Sequence, residues 1–215
     1  MDILSYKLGK NASGGGGGDI DWSAIDISGT PQNIIDGYNY AKTIKQNFVP
    51  SGNMQNKYKE DQNLVYFPNV DTSTTTMFSG TFQNCYCLTN IALIDLSNAT
   101  SIGNMFDSCR SLKKIPQFDT KNCEYFGYTF YQCYSLKDVP ILNTSKATTL
   151  QYMFRYCDNL TNESLNNIMK MCINATSFNG TKSLSHIGLS STQATRCQSL
   201  SNYQAFLNAG WTTGY

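Results

Sequence analysis

Between about residues 58 and 160, the apolar positions of the chain recur with a fixed 24-residue period. Each copy contains a phenylalanine, then a cysteine and a leucine at successive i+3 positions. The clear copies are Phe82-Cys85-Leu88, Phe106-Cys109-Leu112, Phe130-Cys133-Leu136 and Phe154-Cys157-Leu160, and an eroded first copy has Tyr58, Asp61 and Leu64. A fixed period of this length is typical of a solenoid, in which each unit packs on its neighbours. The pattern therefore predicts a stack of 24-residue units.

Within one unit, the pattern predicts a short helical segment followed by a short strand. Apolar residues at positions 78, 82 and 85 have the i, i+4, i+7 spacing of one helix face. Residues 88–94 form an apolar run of strand length. Pro68, Pro116 and Pro140 share one position of the unit. Because proline lacks the amide hydrogen that a strand ladder needs, we expect the strand to end there.

A column of Asp and Asn residues follows the proline column at the i+3 position. Its members are Asp71, Asp95, Asp119 and Asn143. Such side chains accept hydrogen bonds from their own backbone in turns and at helix starts, so the column is expected to close the strand and open the next helical turn. A calcium ladder is the alternative interpretation. It is less favoured, because each unit offers one such oxygen donor and calcium takes about six to eight.

Residues 105–116, Met-Phe-Asp-Ser-Cys-Arg-Ser-Leu-Lys-Lys-Ile-Pro, resemble the BspA-like leucine-rich repeats of bacterial and phage-borne surface proteins. The resemblance extends over roughly residues 57–160. It implies an α/β fold, a right-handed leucine-rich repeat solenoid with short strands on one face and short helices on the other. The chain departs from the repeat pattern at Ala92, which replaces the proline, at the additional thiol of Cys87, and in the eroded first unit. Residues 1–10 and 209–215 resemble segments of structural proteins from phages of gut bacteria.

The pattern divides the chain into four segments: a leader and glycine tether (1–18), an N-terminal cap with a helix (19–56), the repeat units (57–160) and a C-terminal cap (161–215). The cap helix is expected to begin at Thr30-Pro31, with Thr30 as its N-cap, and to extend to about Phe48. Its apolar stripe contains Ile34, Tyr38, Ala41, Ile44 and Phe48. We expect this stripe, with Trp22 and Ile25, to cover the open end of the solenoid.

The C-terminal cap is expected to contain a helix near residues 162–172, with Leu165, Ile168 and Met169 facing inward. Residues 184–189 are predicted to form a last strand. Ser190 and Gln193 have the spacing of a capping box, which predicts a final helix that includes Cys197, Tyr203, Phe206 and Leu207 and stops at Gly210.

The eight cysteines are too few for a disulfide scaffold. Side chains that stack in register point the same way, whereas a disulfide needs facing Cβ vectors, so the ladder cysteines are expected to be buried free thiols. Zinc binding around Cys85 and Cys87 is a weaker alternative, because no further His/Cys pair completes four ligands.

The charge balance gives no electrostatic argument for nucleic acid or an anionic membrane. Sixteen basic and fifteen acidic residues leave a formal charge of +1. No stretch approaches the roughly 18 consecutive apolar residues of a membrane helix, so no membrane span is expected, and residues 1–18 do not have the pattern of a secretory signal.

No catalytic, metal or nucleotide motif occurs, and His186 is the only histidine. The sequence therefore predicts a non-enzymatic binding scaffold without a cofactor. Two columns of candidate binding residues follow from the repeat. The strand face carries Asn90, Lys114, Asp138, Leu93, Gln117 and Ile141, and a column beside the cysteine ladder carries Tyr86, Arg110, Tyr134 and Asp158.

The leader is expected to hold the protein on a particle. Gly14 to Gly18 form a flexible tether, and the leader supplies the anchoring side chains Met1, Ile3, Leu4, Tyr6 and Leu8. The expected partners are a virion subunit, bound through the leader, and a protein or glycan ligand on a cell surface; a homo-oligomer is also compatible with the sequence. The expected location is a virion or a cell surface. A host-encoded BspA-like adhesin and a purely structural decoration protein are the alternatives.

Overall fold

The computed structural model describes residues 32–215. Its helices are α1 (Gln32–Asn47), α2 (Asn162–Asn174), α3 (Leu184–Ile187), α4 (Ser191–Cys197) and α5 (Tyr203–Asn208), and its strands are β1 (Tyr66–Phe67) and β2 (Asn90–Ile91). The leader, the glycine tether, Trp22, Ile25, Thr30 and Pro31 lie outside the described residues. Most of the chain between α1 and α2 is therefore neither helix nor extended strand.

Successive units lie on one another in parallel with the predicted register. Single parallel bridges join Asn53 to Met77, Met77 to Ser101, Ser101 to Tyr125 and Tyr125 to Thr149, so each bridge spans one period of the sequence. On the other side of the unit, β1 pairs in parallel with β2, and Lys114 pairs with Asp138. The strand predicted over residues 88–94 is shorter than expected, because only Asn90–Ile91 have strand geometry.

The segment around residues 78–85 is a run of tight turns, and the helix predicted there is wrong. The amides of Phe78, Gly80 and Phe82 donate to carbonyls of the next unit at 2.9–3.0 Å. The amides of Thr81 and Gln83, which alternate with these, donate to the carbonyl at position i−3 at 3.0–3.1 Å. Alternate amides therefore hold the units together, which an α-helix would not allow because it uses its amides internally.

A left-handed backbone conformation at two positions of each unit explains this arrangement. The residues with positive φ, between 51° and 66°, are Asn56, Gly80, Asn104, Tyr128 and Tyr152 at the first position and Glu60, Asn84, Ser108, Gln132 and Tyr156 at the second. Left-handed residues at two positions four apart interrupt helix propagation, and the amides of these residues donate to the neighbouring unit, as at Gly80 and Asn84.

Columns of equivalent residues, one from each unit, form the core, and several of these columns are identical from unit to unit. The phenylalanine rings stack at centroid distances of 5.5 Å between Phe82 and Phe106, 5.6 Å between Phe106 and Phe130, and 5.4 Å between Phe130 and Phe154. The interplanar angles are at most 18°. The leucine column, from Leu64 to Leu160, is also buried. Each unit thus buries the same apolar set against its neighbours, which is the energetic reason for the period.

The cysteine ladder is buried and hydrogen-bonded, and all eight cysteines are free. The thiols of Cys109, Cys133 and Cys157 donate to the carbonyls of Phe82, Phe106 and Phe130 in the preceding unit at 2.9–3.1 Å. Burial raises the pKa of Cys85 to about 12 and holds the pKa values of Cys109 and Cys133 well above their ordinary value. The prediction of buried free thiols is confirmed. Cysteine fits this column because it is small and apolar yet can satisfy a carbonyl.

The Asp and Asn column forms turns, as predicted. The side-chain oxygens of Asp71, Asp95, Asp119 and Asn143 each accept a hydrogen bond from the amide at position i+2, at 2.8–3.1 Å. No helix follows these turns, so the second part of that prediction is wrong.

Helix α1 packs on the first units through the described members of the predicted stripe; the side chain of Ile34 lies outside the described part of the chain. Tyr38, Ala41 and Ile44 are buried, and Phe48 packs against the core. The approach is close at Gly37, where a Cβ atom would lie 2.7 Å from the Val65 side chain. The Tyr40 hydroxyl donates to Asp61 at 2.6 Å, which fixes the helix at the position where later units have the cysteine.

The C-terminal part agrees with the sequence at α2 and differs from it later. Leu165, Ile168 and Met169 of α2 are buried, as predicted. Residues 184–187 form α3 where a strand was expected, because the Ser183 side chain caps the first turn and Gly188, with a φ of 96°, ends it. The predicted final helix is divided into α4 and α5. The capping box of Ser190 and Gln193 is present at the start of α4.

Candidate functional site

The predicted strand-face column is partly exposed. Lys114, Asp138, Leu93 and Gln117 are exposed, whereas Asn90 and Ile141 are half-buried. Two of these side chains have structural contacts. Gln117 donates to the Ile141 carbonyl at 2.6 Å, and the Asn90 side-chain oxygen accepts from the Ile91 amide at 3.0 Å. The structure thus places these residues on one face, but several of them serve the frame.

The second predicted column, beside the cysteine ladder, is more exposed. Tyr86 and Tyr134 are 38 % and 39 % exposed, and the Arg110 guanidinium lies 4.4 Å from the centre of the Tyr86 ring. Asp158 is also exposed. This column therefore presents one tyrosine–arginine pair and a separate tyrosine to solvent.

A further cluster of aromatic side chains lies elsewhere, on the turn side of the last units, where Tyr156 is exposed and the other members are half-buried. We call Tyr128, Tyr131, Tyr152, Arg155 and Tyr156 the tyrosine patch. The ring centroids of Tyr128 lie 5.6 Å from Tyr131 and 5.5 Å from Tyr152, and those of Tyr131 and Tyr156 are 5.5 Å apart. The Arg155 guanidinium lies 4.6 Å from the Tyr152 ring and 5.1 Å from the Tyr156 ring. One tilted pair of rings, two edge-to-face pairs and a cation over two ring faces make one connected surface.

The left-handed positions of the unit place three of these tyrosines. Tyr128, Tyr152 and Tyr156 have φ values of 58°, 51° and 66°. Bulky residues seldom adopt this conformation, and the equivalent residues in other units include Asn56, Gly80 and Asn84. Tyrosine at these positions makes backbone strain without filling the core, and such strain is commonly found at functional sites.

A groove of about 520 Å³ adjoins the tyrosine patch. We call it the terminal groove, since it lies between the last unit and the segment around α3. One wall carries Tyr152, Arg155, Tyr156 and Asp158, and the other carries Thr181, Ser183, Ser185, His186, Gly188, Leu189, Ser190 and Tyr215. Aromatic rings thus face a wall rich in hydroxyl groups.

The two walls are held together by the backbone. The amides of Tyr152 and Phe154 donate to the carbonyls of His186 and Ile187, both at 2.9 Å, in place of the next unit. Gly188 permits this approach, because a Cβ atom there would lie 2.6 Å from the Arg155 amide nitrogen. The groove is therefore part of the folded frame.

The charges in the terminal groove balance. Arg155 is its cation and Asp158 its anion. A hydrogen bond with the Tyr156 hydroxyl raises the pKa of Arg155, and burial lowers the pKa of His186. His186 is therefore neutral at pH 7, where it can both donate and accept hydrogen bonds.

The chain matches the profile of the family described as Mycoplasma protein of unknown function, DUF285, over residues 52–167. This span is more than half of the 215 residues. The chain belongs to the DUF285 family. No curated protein and no solved structure matches it. The DUF285 segment contains the tyrosine patch, whereas α3 and the second wall of the terminal groove lie beyond the matched residues.

The described part of this DUF285 chain contains neither a metal cluster nor a membrane-spanning helix. Within residues 32–215, no three His, Cys, Asp or Glu side chains lie together as a metal site would require, including those of the Asp column and of Cys85 and Cys87. Over the same residues, no helix is long and apolar enough to cross a membrane.

Sequence reasoning missed the tyrosine patch. Its detectable signal was Tyr128 and Tyr152, which are one period apart and occupy one position of neighbouring units. Tyr131 and Tyr156 occupy different positions of their units, so the period alone does not bring them together.

Proposed function

We propose that this DUF285 protein is a non-enzymatic binding scaffold that attaches a particle or cell to a surface. The observation that carries the proposal is the tyrosine patch, a connected aromatic and cationic surface built on a regular frame. Its members lie on the turn side, where the frame itself requires only small or polar residues. Arrays of stacked units commonly bind through such surface side chains on a rigid support.

The chemistry of the patch favours binding over catalysis. Tyrosine and arginine are the residue types enriched at energetically important interface positions. A tyrosine ring offers a large contact area and a hydroxyl group while losing little conformational entropy. The thiols of the ladder are buried with raised pKa values, so they are unsuited to act as nucleophiles.

The proposed setting is a phage or prophage particle, as a head or tail decoration or fibre protein with BspA-like leucine-rich repeats of right-handed solenoid type. Residues 1–13 would dock on a virion subunit and residues 19–215 would face outward. A chain that begins at Asp19 should then fold with an unchanged melting temperature and fail to attach to particles lacking the protein. Attachment without the leader would contradict this docking role.

A host-encoded cell-surface adhesin is the second candidate. The family description favours it, because it names Mycoplasma, a cellular bacterium and not a phage. The genes beside the coding sequence separate the two candidates: capsid and tail genes support the particle, and secretion or cell-wall genes support the adhesin.

The binding function is tested with the fluorescently labelled full chain on a panel of bacterial and epithelial cells. The double variant Tyr128→Asn/Tyr152→Asn replaces both rings with the residue that Asn56 and Asn104 supply in other units. Since asparagine tolerates the left-handed conformation, the variant should keep the fold. Its retention on cells should fall at least tenfold.

The matched control is Tyr86→Asn/Tyr134→Asn, which removes two exposed tyrosines from the column beside the cysteine ladder. We expect unchanged retention for this control. If the control lost binding and the patch variant kept it, the binding surface would be the cysteine-side column. If the full chain bound no surface, the proposed function would be wrong.

A further inference from the structure

We infer that the terminal groove binds a neutral oligosaccharide. The inference rests on the proposed function and specifies its ligand class. A sugar ring has C–H groups on its faces and hydroxyl groups around its edge, so its site needs aromatic faces beside many hydrogen-bonding groups. The terminal groove has Tyr152 and Tyr156 on one wall and Tyr215 on the other, beside the hydroxyl groups of Thr181, Ser183 and Ser185. Its volume of about 520 Å³ lies within the roughly 300–1,000 Å³ of small-molecule sites, enough for a short oligosaccharide.

An unsatisfied backbone donor points to a ligand oxygen in the groove. In each earlier unit, the residue four positions after Gly80 or its equivalent also donates its amide to the next unit. Asn84 donates to the Asp107 carbonyl at 2.8 Å, and Gln132 donates to the Arg155 carbonyl at 2.8 Å. Within residues 32–215, the equivalent amide of Tyr156 has no hydrogen-bond acceptor. Since the alternate amides of Tyr152 and Phe154 both donate to α3, we expect this donor to point toward the same side of the groove. A ligand hydroxyl there would replace the carbonyl of a further unit.

The charge of the groove favours a neutral ligand over an anionic one. Arg155 and Asp158 offset each other, and His186 is neutral. A planar guanidinium and a planar carboxylate each bind two hydrogen-bonding groups at once, which suits adjacent hydroxyl groups of a sugar. The Asp158 carboxylate would repel the negative charge of a sialylated or sulfated glycan.

The groove does not suit an extended peptide. A peptide strand binds by adding to a row of free backbone groups. Here the amides of Tyr152 and Phe154 are already bonded to His186 and Ile187, so the row of backbone donors along the last unit is largely occupied.

The test uses the full chain on an array of immobilised neutral, sialylated and sulfated oligosaccharides. The variant Tyr156→Asn removes the ring at the groove and carries the residue that Asn84 supplies at the same position of the second unit, so its fold should be retained. Tyr86→Asn is the control, because Tyr86 and Tyr156 are 38 % and 40 % exposed. We expect retention on neutral oligosaccharides, a loss of at least tenfold for Tyr156→Asn and no change for Tyr86→Asn.

The inference is wrong if the full chain is retained on no oligosaccharide, is retained only on sialylated or sulfated ones, or is unaffected by Tyr156→Asn. Treatment of cells separates this failure from that of the proposed function. Binding that survives periodate oxidation of cell-surface sugars and is abolished by protease overturns the carbohydrate inference and leaves the attachment function standing. Absence of binding to any cell overturns the attachment function itself.

Discussion

In the stacked units the amide of Phe106 donates to a carbonyl of the following unit, at Thr129, whereas the equivalent amide of Phe154 donates to Ile187 of α3. The two regions therefore satisfy the same backbone donors with different elements. The stack does so by repeating one conformation. The C-terminal closure, residues 161–215, does so with short capped helices whose carbonyls replace those of a unit.

Side chains show the same contrast. Within the stack, thiols at one position of the four clear units satisfy carbonyls of the preceding unit. In the closure, the buried Gln193 donates to the Cys157 carbonyl at 2.8 Å while its oxygen caps the start of α4. A repeated contact is interchangeable between units, whereas a closure contact depends on one residue in one place. The following predictions test this difference.

The largest effect is expected from deletions. Removing residues 107–130 deletes one period and joins Phe106 to Tyr131, which restores the repeat at the junction. This shortened chain should fold, as judged by circular dichroism and cooperative thermal unfolding. Removing residues 107–118 places turns over strands and should prevent folding, because the units no longer stack in register. A third deletion removes residues 188–211 of the closure, a segment as long as one period. It should also prevent folding, because no repeated residue replaces the lost contacts.

Equal thermal stability of the chains lacking 107–130 and 107–118 would refute stacking in register. A folded chain lacking residues 188–211 would show that the closure is as interchangeable as a unit.

The second-largest effect is expected from alkaline pH, which should destabilise the stack. Burial raises the pKa of Cys85 from 9.0 to about 12, and the pKa values of Cys109 and Cys133 are also raised. The stabilisation is thus complete below pH 9 and is lost as the pH rises toward 12, since unfolded thiols release protons that folded ones retain. Each such thiol should remove about 1.4 kcal/mol of unfolding free energy per pH unit. Urea unfolding between pH 8 and 11 measures the slope.

Single substitutions identify the source of that slope. Cys109→Ala should reduce the pH slope of the unfolding free energy by the equivalent of about one proton, because one buried thiol is removed. Cys87→Ser should leave this slope unchanged, because Cys87 is exposed. In native buffer at pH 8 a thiol reagent should label Cys87 and reach the ladder cysteines only in denaturant. Rapid native labelling of Cys109 or Cys133 would contradict their burial.

Truncation of one stacked ring should cost less than these changes. Phe106→Ala leaves a cavity between Phe82 and Phe130 and should lower the unfolding free energy by about 3–5 kcal/mol. In a double-mutant cycle with the neighbouring Phe130→Ala, the effects should depart from additivity by about 0.5 kcal/mol or more. The buried Phe206 of the closure has its ring contacts with Tyr203 and Trp211, so Phe106→Ala and Phe206→Ala should add within about 0.5 kcal/mol. Coupling of Phe106 to Phe206 would contradict a local stack.

The smallest effect is expected at the closure contact. Gln193→Ala leaves the Cys157 carbonyl without its side-chain donor and removes the capping box, so it should cost about 1–3 kcal/mol in chemical unfolding. The control Gln198→Ala changes an exposed residue at the end of the same helix and should stay within about 0.5 kcal/mol of the parent. Equal costs for the two variants would show that the buried contact is dispensable.

The period, the register and the composition of the core can be derived from the amino-acid sequence alone. Identical apolar residues at equal intervals leave one register in which every column is buried, so the Phe, Cys and Leu columns followed directly from the spacing. The sequence also determined the existence of α1 and α2 and the capping box at Ser190, because these depend on local periodicity and on neighbouring residues.

The backbone path between those columns depends on contacts in the tertiary structure. The spacing of Phe78, Phe82 and Cys85 reports which side chains face inward, and both a helix and a run of turns meet that condition. The choice between them came from amides that bond the next unit, which is a non-local contact. The same ambiguity applies to residues 184–189, because their apolar positions fit either a strand or a short capped helix. Here the tertiary contacts favour the helix, because its carbonyls accept hydrogen bonds from the amides of Tyr152 and Phe154. The tyrosine patch and terminal groove likewise depend on how turns of neighbouring units and α3 meet in space, so no single stretch of sequence contains them.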